Sequence, residues 1–203
     1  MKHLIRFSLL LIASLIITGC ESPGRSLSKS AIQQIRNGQT TRTEVDKIFG
    51  EPKQMTRSSQ GRTLYFYERY YGPAGSFGSS APFQESHLLT LSVLFNPNDI
   101  VEKHLFSHTR PDVSSRMLTA GRELNPEELR RITPQKTTEA ELGAWFGPHW
   151  SEQLTLNGGR LVIWLYASAM PIAGRVDVQA LEVLMNDNGT VGAFRVTKHD
   201  PAH

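Results

Sequence analysis

Apolar residues recur along this chain with two different periods. Val45, Ile48 and Phe49 fall at i, i+3 and i+4, as do Leu142, Trp145 and Phe146, which is the spacing of one helix face. A threonine stands three residues before a glutamate at the head of each segment, Thr41 with Glu44 and Thr138 with Glu141. That is the capping-box pattern, in which side chain and backbone satisfy each other's first-turn donors. Gly50 then Pro52, and Gly147 then Pro148, end the two helices: the glycine offers the left-handed C-terminal position and the proline prevents continuation. Ser30 with Gln33 predicts a further short helix closed by Gly38, and Asn125-Pro126 predicts one running through Arg131. Phe49, Trp145, Phe146 and Trp164 read as core residues.

Between the helical stretches the pattern shifts to aromatic and β-branched runs bounded by turn residues. Leu64 to Tyr67, Leu89 to Phe95 and Val101 to Phe106 predict one set of strands. Leu161 to Tyr166, Leu181 to Met185 and Val191 to Val196 predict another. Asn96 to Asp99 and Asn186 to Gly189 are the hairpin turns, and Asn188-Gly189 suits the mirror-image turn that matches strand twist.

The two sets are one pattern written twice. At an offset of 97 residues, Ile35, Thr40, Thr41, Glu44, Phe49 and Gly50 recur as Ile132, Thr137, Thr138, Glu141, Phe146 and Gly147. Further on, Leu91 to Val101 (LSVLFNPNDIV) matches Leu181 to Val191 (LEVLMNDNGTV). The expected fold class is α+β: two tandem modules, each with two short helices packed on an antiparallel sheet of three or four strands. The boundaries are 30–108 for the first module, 109–124 for a linker and 125–198 for the second. A module this small buries a marginal core alone, so the two are expected to pack on each other.

The first residues obey a different grammar. Lys2, His3 and Arg6 form a positive start, and Phe7 to Ile17 is an apolar run too short to span a bilayer and suited to a secretory signal. The run ends Ile16-Ile17-Thr18-Gly19-Cys20, which resembles the bacterial lipobox. The resemblance implies a signal peptide over 1–19, cleavage before Cys20 and a covalent lipid on that cysteine. Residues 20–29 then read as a Ser/Pro/Gly-rich tether. Glu21, where an aspartate would resemble the inner-membrane retention signal, favours the outer membrane.

Composition narrows the field. The chain has 22 Lys+Arg and 19 Asp+Glu, and without Lys2 and Arg6 the balance falls to +1. Neither half is strongly basic, so nucleic acid is not an expected partner. Cys20 is the sole cysteine, which excludes an internal disulfide and any multi-cysteine metal site.

A helix, G-x-T, a capped helix ending F-G-x-P, an aromatic strand and then L-x-V-x-F resembles the BamE/SmpA–OmlA family of outer-membrane lipoproteins. The stretch Gln39 to Gly50 carries the closest likeness, although that family usually has one module. The tandem layout is also similar to that of β-lactamase inhibitor proteins, whose modules carry disulfides that this chain cannot form. The first resemblance implies a scaffold at the periplasmic face of the outer membrane, binding outer-membrane or envelope proteins such as the barrel-assembly complex. The second implies an inhibitor or immunity-type protein that blocks an enzyme.

Catalytic patterns are lacking. His104 and His108 stand four apart on an expected strand, about 13 Å between positions, and no acidic or cysteine ligand accompanies them; no metal and no cofactor beyond the Cys20 lipid is expected. His87, His149, His199 and His203 read as surface residues. Ser76 and Ser79 lie in a Gly/Ser loop, not in a nucleophile elbow. Neither an enzymatic activity nor a small-molecule substrate is expected. Protein binding is assigned to Tyr65, Tyr67 and Tyr71, taken as an outward stripe with Leu64, Phe66 and Tyr70 facing the helices. Phe77 and Phe83 join them, in the long loop from Gly72 to Ser86 whose place is taken in the second copy by Ala169 to Val178.

Overall fold

The computed structural model describes residues 27–71, 87–110, 113–114, 119–170 and 175–199. It is an α+β fold with two antiparallel sheets and four short helices among those residues. In the first half, α1 (Lys29–Ile32) and α2 (Arg42–Phe49) precede β1 (Gln54–Arg57), β2 (Thr63–Tyr71), β3 (His87–Phe95) and β4 (Val101–Thr109), which form one sheet in sequence order. Two short strands follow, β5 (Val113–Ser114) and β6 (Thr119–Ala120). In the second half, α3 (Pro126–Arg131) and α4 (Glu139–Phe146) precede β7 (Ser151–Leu154), β8 (Arg160–Met170), β9 (Arg175–Met185) and β10 (Val191–His199).

The second sheet is larger than expected. Its path runs β10-β9-β8-β6-β5, and β7 pairs the same edge of β8 as β6 does, further toward the β8 start. The segment expected to be a plain linker therefore supplies two strands. The mostly polar β1 and β7 carry no strand signal of their own, and pairing to β2 and β8 creates them. Ala169 to Val178 is not mainly a loop: β8 and β9 stay in register out to Met170 opposite Arg175.

The helices obey their caps. Thr41 and Thr138 each accept from the backbone N–H three residues on, and Glu44 and Glu141 each accept from the cap's own N–H, at 2.7 and 2.8 Å. Each cap contributes about 1 kcal/mol. Val45, Phe49, Leu142 and Phe146 are buried, whereas Ile48 and Trp145 are partly buried. Both helices end on a glycine with φ near +76° and strongly extended ψ: 75° and −155° at Gly50, 77° and −163° at Gly147. This is the mirror-β region open only to glycine, and not the left-handed helical cap expected. Two other expectations shift as well. The first helix is capped by Ser28, whose Oγ accepts from Ala31 N–H, and it ends at Ile32, well before Gly38. The turn at Asn186 to Gly189 is closed by Gly189 N–H to the Asn186 carbonyl with Gly189 alone at positive φ, so it is not the mirror-image form. Asp99 takes the same conformation in the first half, with φ 61°.

The hydrogen bonds repeat at the sequence offset. Gly38 N–H donates to Val101 O at 2.7 Å, and Gln135 N–H donates to Val191 O at 2.7 Å, with Gln135 held at φ 67° where Gly38 has 76°. Tyr67 Oη donates to the Gly50 carbonyl at 3.2 Å; at the matching position Trp164 Nε1 donates to the Gly147 carbonyl at 2.9 Å. In each half the central aromatic of the second strand is thus tied to the end of the covering helix. One apolar core lies under each helix pair: Phe49, Tyr65, Tyr67, Val93 and Phe95 in the first, Phe146, Trp164, Leu181 and Val183 in the second.

The halves meet where β7 lies on the face of the first sheet that points away from its helices. Leu88, Leu94 and Leu154 are fully buried yet belong to neither core. Thr109 and Thr90 hydroxyls donate to the Trp150 and Glu152 carbonyls at 2.7 and 3.0 Å. Lys103 Nζ donates to the Gly158 carbonyl at 2.9 Å and Arg62 Nη1 to the Leu156 carbonyl at 3.4 Å. The first half thus covers the outer edge of β7 and its flanks, with side chains taking the Trp150, Glu152, Leu156 and Gly158 carbonyls instead of a further strand, one way of protecting an edge.

Two stability predictions follow. Tyr67→Phe leaves the Gly50 carbonyl without its donor and should lower the unfolding free energy by about 1–2 kcal/mol, read from the urea midpoint. Leu154→Ala opens a cavity between the halves and should cost about 2–4 kcal/mol by the same assay; a loss under about 1 kcal/mol would mean the interface is not tightly packed.

Candidate functional site

The residues expected to bind a partner are not where the alternation argument put them. Tyr65 and Tyr67 are 6% and 1% exposed and point under the helices, with Tyr65 packing on Phe95 at 5.0 Å and Tyr67 on Phe49 at 5.6 Å between ring centroids. The phenol of Tyr67 tolerates this burial because its hydroxyl finds the Gly50 carbonyl. Burial pushes the Tyr67 phenol well above the usual tyrosine range. The opposite face carries half-buried Leu64 and Phe66, with Tyr70 48% exposed. Tyr65 and Tyr67 are therefore core, and the faces of β2 are the reverse of the alternation expected. The Tyr71 side chain, Cys20, Phe77 and Phe83 lie outside the described residues.

A groove opens instead beside the end of α2. It has a volume of about 600 Å³ and is lined by Asp46, Glu51, Pro52, Lys53, Met55 and Tyr65, among others. Gly50 turns the chain out of the helix, Pro52 stops it from continuing, and Lys53 leads into β1, whose four residues are all exposed. Met55 is 61% exposed, the most exposed large apolar side chain among the described residues. Lys53 is ion-paired to Glu68. Burial at the groove wall raises the Asp46 carboxyl, against the pull of Arg42.

The second half fills the same place with charge. Glu139, His149, Glu152 and Arg160 occupy the positions of Arg42, Pro52, Met55 and Thr63 at the repeat offset. Arg160 donates to both Glu139 oxygens at 2.6 and 2.7 Å and, through Nε, to Glu152 at 2.6 Å. His149 Nε2 lies 2.9 Å from Glu152 Oε1, a close contact not aligned as a hydrogen bond. Burial alone would raise the Glu152 carboxyl, but the His149 contact and the Arg160 bond outweigh it and bring it down to about 2. The Glu139 bonds raise Arg160 further above its ordinary value, against burial. Glu139, His149 and Glu152 present ligand atoms within 4.8 Å of one another, close enough to bridge a divalent cation. The guanidinium of Arg160 already engages three of the four carboxylate oxygens, so the arrangement acts as a salt-bridge lock tying α4, β7 and β8 together. Around Gly147 and Pro148 the remaining space is only about 130 Å³, with Gly121 and Arg122 on its wall.

The other histidines separate into pairs. His104 Nδ1 lies 2.8 Å from Asn37 Oδ1, and His108 Nε2 lies 2.9 Å from His87 Nδ1, so the i, i+4 pair does not converge. The ion lock is not among the sequence expectations, and His149, expected at the surface, stands beside Glu152 instead. Its signal lay in the mismatches of the repeat: three positions that are charged together in the second copy are unlike in the first. No family model, characterised relative or solved structure matches this chain.

Glu152 gives a pH prediction. Its folded-state carboxyl is depressed from 4.5 to about 2, so its stabilisation is present above 4.5 and lost as pH falls toward 2. Arg160→Gln should reduce stability near neutral pH by roughly 2 kcal/mol, allowing for screening of a part-exposed pair. Urea unfolding at stepped pH should show the gap to wild type narrowing through that window; a gap independent of pH would leave Arg160 a packing role only.

Proposed function

We propose that this chain is a lipoprotein of the bacterial outer membrane, lipidated on Cys20 and facing the periplasm, that acts as a non-enzymatic scaffold in envelope or outer-membrane protein assembly. In this reading the two halves are tandem modules of the BamE/SmpA–OmlA type, each with two short helices on its sheet. The observation that carries the proposal is their divergence. The second half is locked by Arg160 and its carboxylates, and its β7 edge is used up in holding the halves together. The first keeps an open groove beside an exposed strand edge. One copy supports and the other is left free to bind. Lipid attachment confines the chain to a surface and raises the effective concentration of its partners, so that a modest interface suffices.

The test is a crosslinked pull-down from gently solubilised outer membranes, with wild type beside Cys20→Ala. Enrichment of the barrel-assembly complex by wild type alone is the expected result. A single soluble enzyme captured equally by both would replace the scaffold with the inhibitor reading.

A further inference from the structure

We infer that β1 is an acceptor edge, to which a partner protein adds an extended segment as a fifth strand of the first sheet, with an acidic residue facing Arg57 and an apolar one on Met55. This deepens the scaffold reading and rests on it only for where the partner comes from.

The carbonyls of Glu152 in β7 and of Trp150 just before it are met by Thr90 and Thr109 of the first half. The matching positions are Met55 in β1 and Lys53 just before it. Strand alternation therefore aims the backbone groups of Lys53, Met55 and Arg57 away from β2, and among the described residues no strand pairs with that edge. An unpaired edge beside an apolar side chain over a groove is the geometry used in strand addition, where backbone bonds supply affinity and alternate side chains supply selectivity.

Charge selects the occupant. The β1 edge cannot dock on a sheet face as β7 does, because Arg57 stands where Leu154 is buried. Pairing with β1 of a second copy is also disfavoured: an antiparallel arrangement brings Arg57 of one copy toward Lys53 of the other, and like charges opposite each other destabilise a strand pair. Lys53 is engaged by Glu68, whereas Arg57 makes no ion pair among the described residues. An incoming strand with a carboxylate at that end complements Arg57, and Asp46 and Glu51 at the far end of the groove suit a basic residue.

The test uses purified protein and no membrane, so it stands or fails separately from the lipoprotein reading. Selection from a phage-displayed library of random peptides should enrich sequences with an acidic residue among β-branched and apolar ones. Hydrogen exchange should show the amides of Met55 and Arg57 protected by the bound peptide. Met55→Pro removes an outward donor without touching the β1–β2 ladder and should weaken binding at least about tenfold, or ~1.4 kcal/mol, at an unchanged unfolding midpoint. Should that variant fail to fold, Arg57→Glu decides: it should switch enrichment from acidic to basic peptides. No enrichment, affinity unchanged by Met55→Pro in the folded variant, or charge preference indifferent to Arg57→Glu would each overturn the proposal. So would a wild-type dimer at working concentration that is lost in Met55→Pro, which would assign the edge to a second copy.

Discussion

The bond from a strand aromatic to the carbonyl of the helix-ending glycine is the constraint on which each half depends. Tyr67 makes it to Gly50, and Trp164 makes it to Gly147. The glycine must take a positive φ and extended ψ to leave the helix sharply, and this leaves its carbonyl beside the apolar core. A buried carbonyl without a donor costs about 1–3 kcal/mol. Only an aromatic with a polar edge fills the core and supplies that donor together. Once the bond forms, the helix axis is set against the sheet, and Phe49 or Phe146 is pressed onto the ring or the strands below it. The donor differs, phenol in one half and indole in the other, while its reach is conserved within 0.3 Å. The constraint thus lies in the geometry, not in the residue type.

The join between the halves follows from a second necessity. A sheet edge presents backbone groups that must be met. Around β7 the first half supplies side chains: Thr90 to the Glu152 carbonyl in the strand, Thr109 to the Trp150 carbonyl just before it, and Arg62 and Lys103 to the Leu156 and Gly158 carbonyls beyond it. The same strand carries Glu152, which Arg160 binds from below. One short strand therefore connects the ion lock of the second half to the back face of the first. The two halves differ here: charged groups meet at the β7 join in the second, and the exposed Met55 stands at the matching position of the first.

In the proposed scaffold reading, binding draws on the same arrangement: a groove and an edge side by side, on a half held steady from behind, offer a partner both backbone pairing and an apolar contact. Side chains already committed to ion pairs, such as Lys53 with Glu68, do not have to be freed for that purpose.

Much of this was determined by the chain locally. The two capping boxes and the helix-ending glycines are governed by contacts within a few residues, and the threonine–glutamate and glycine–proline spacings spell them out. Only the tertiary structure decided the rest. The face of β2 could not be read from alternation, because both faces carry large apolar or aromatic residues: Tyr65 and Tyr67 on one, Leu64, Phe66 and Tyr70 on the other. Tyr65 and Tyr67 went inward because the Gly50 carbonyl lies there. β1 and β7 exist only through pairing with β2 and β8, since four mostly polar residues have no strand preference of their own. The ion lock joins Glu139, His149, Glu152 and Arg160 across a helix and two strands, and no sequence spacing encodes that meeting. Local order is written in short-range sterics and hydrogen bonds. Which surface is core, which edge is sealed and which is left open depends on what the rest of the chain brings against it.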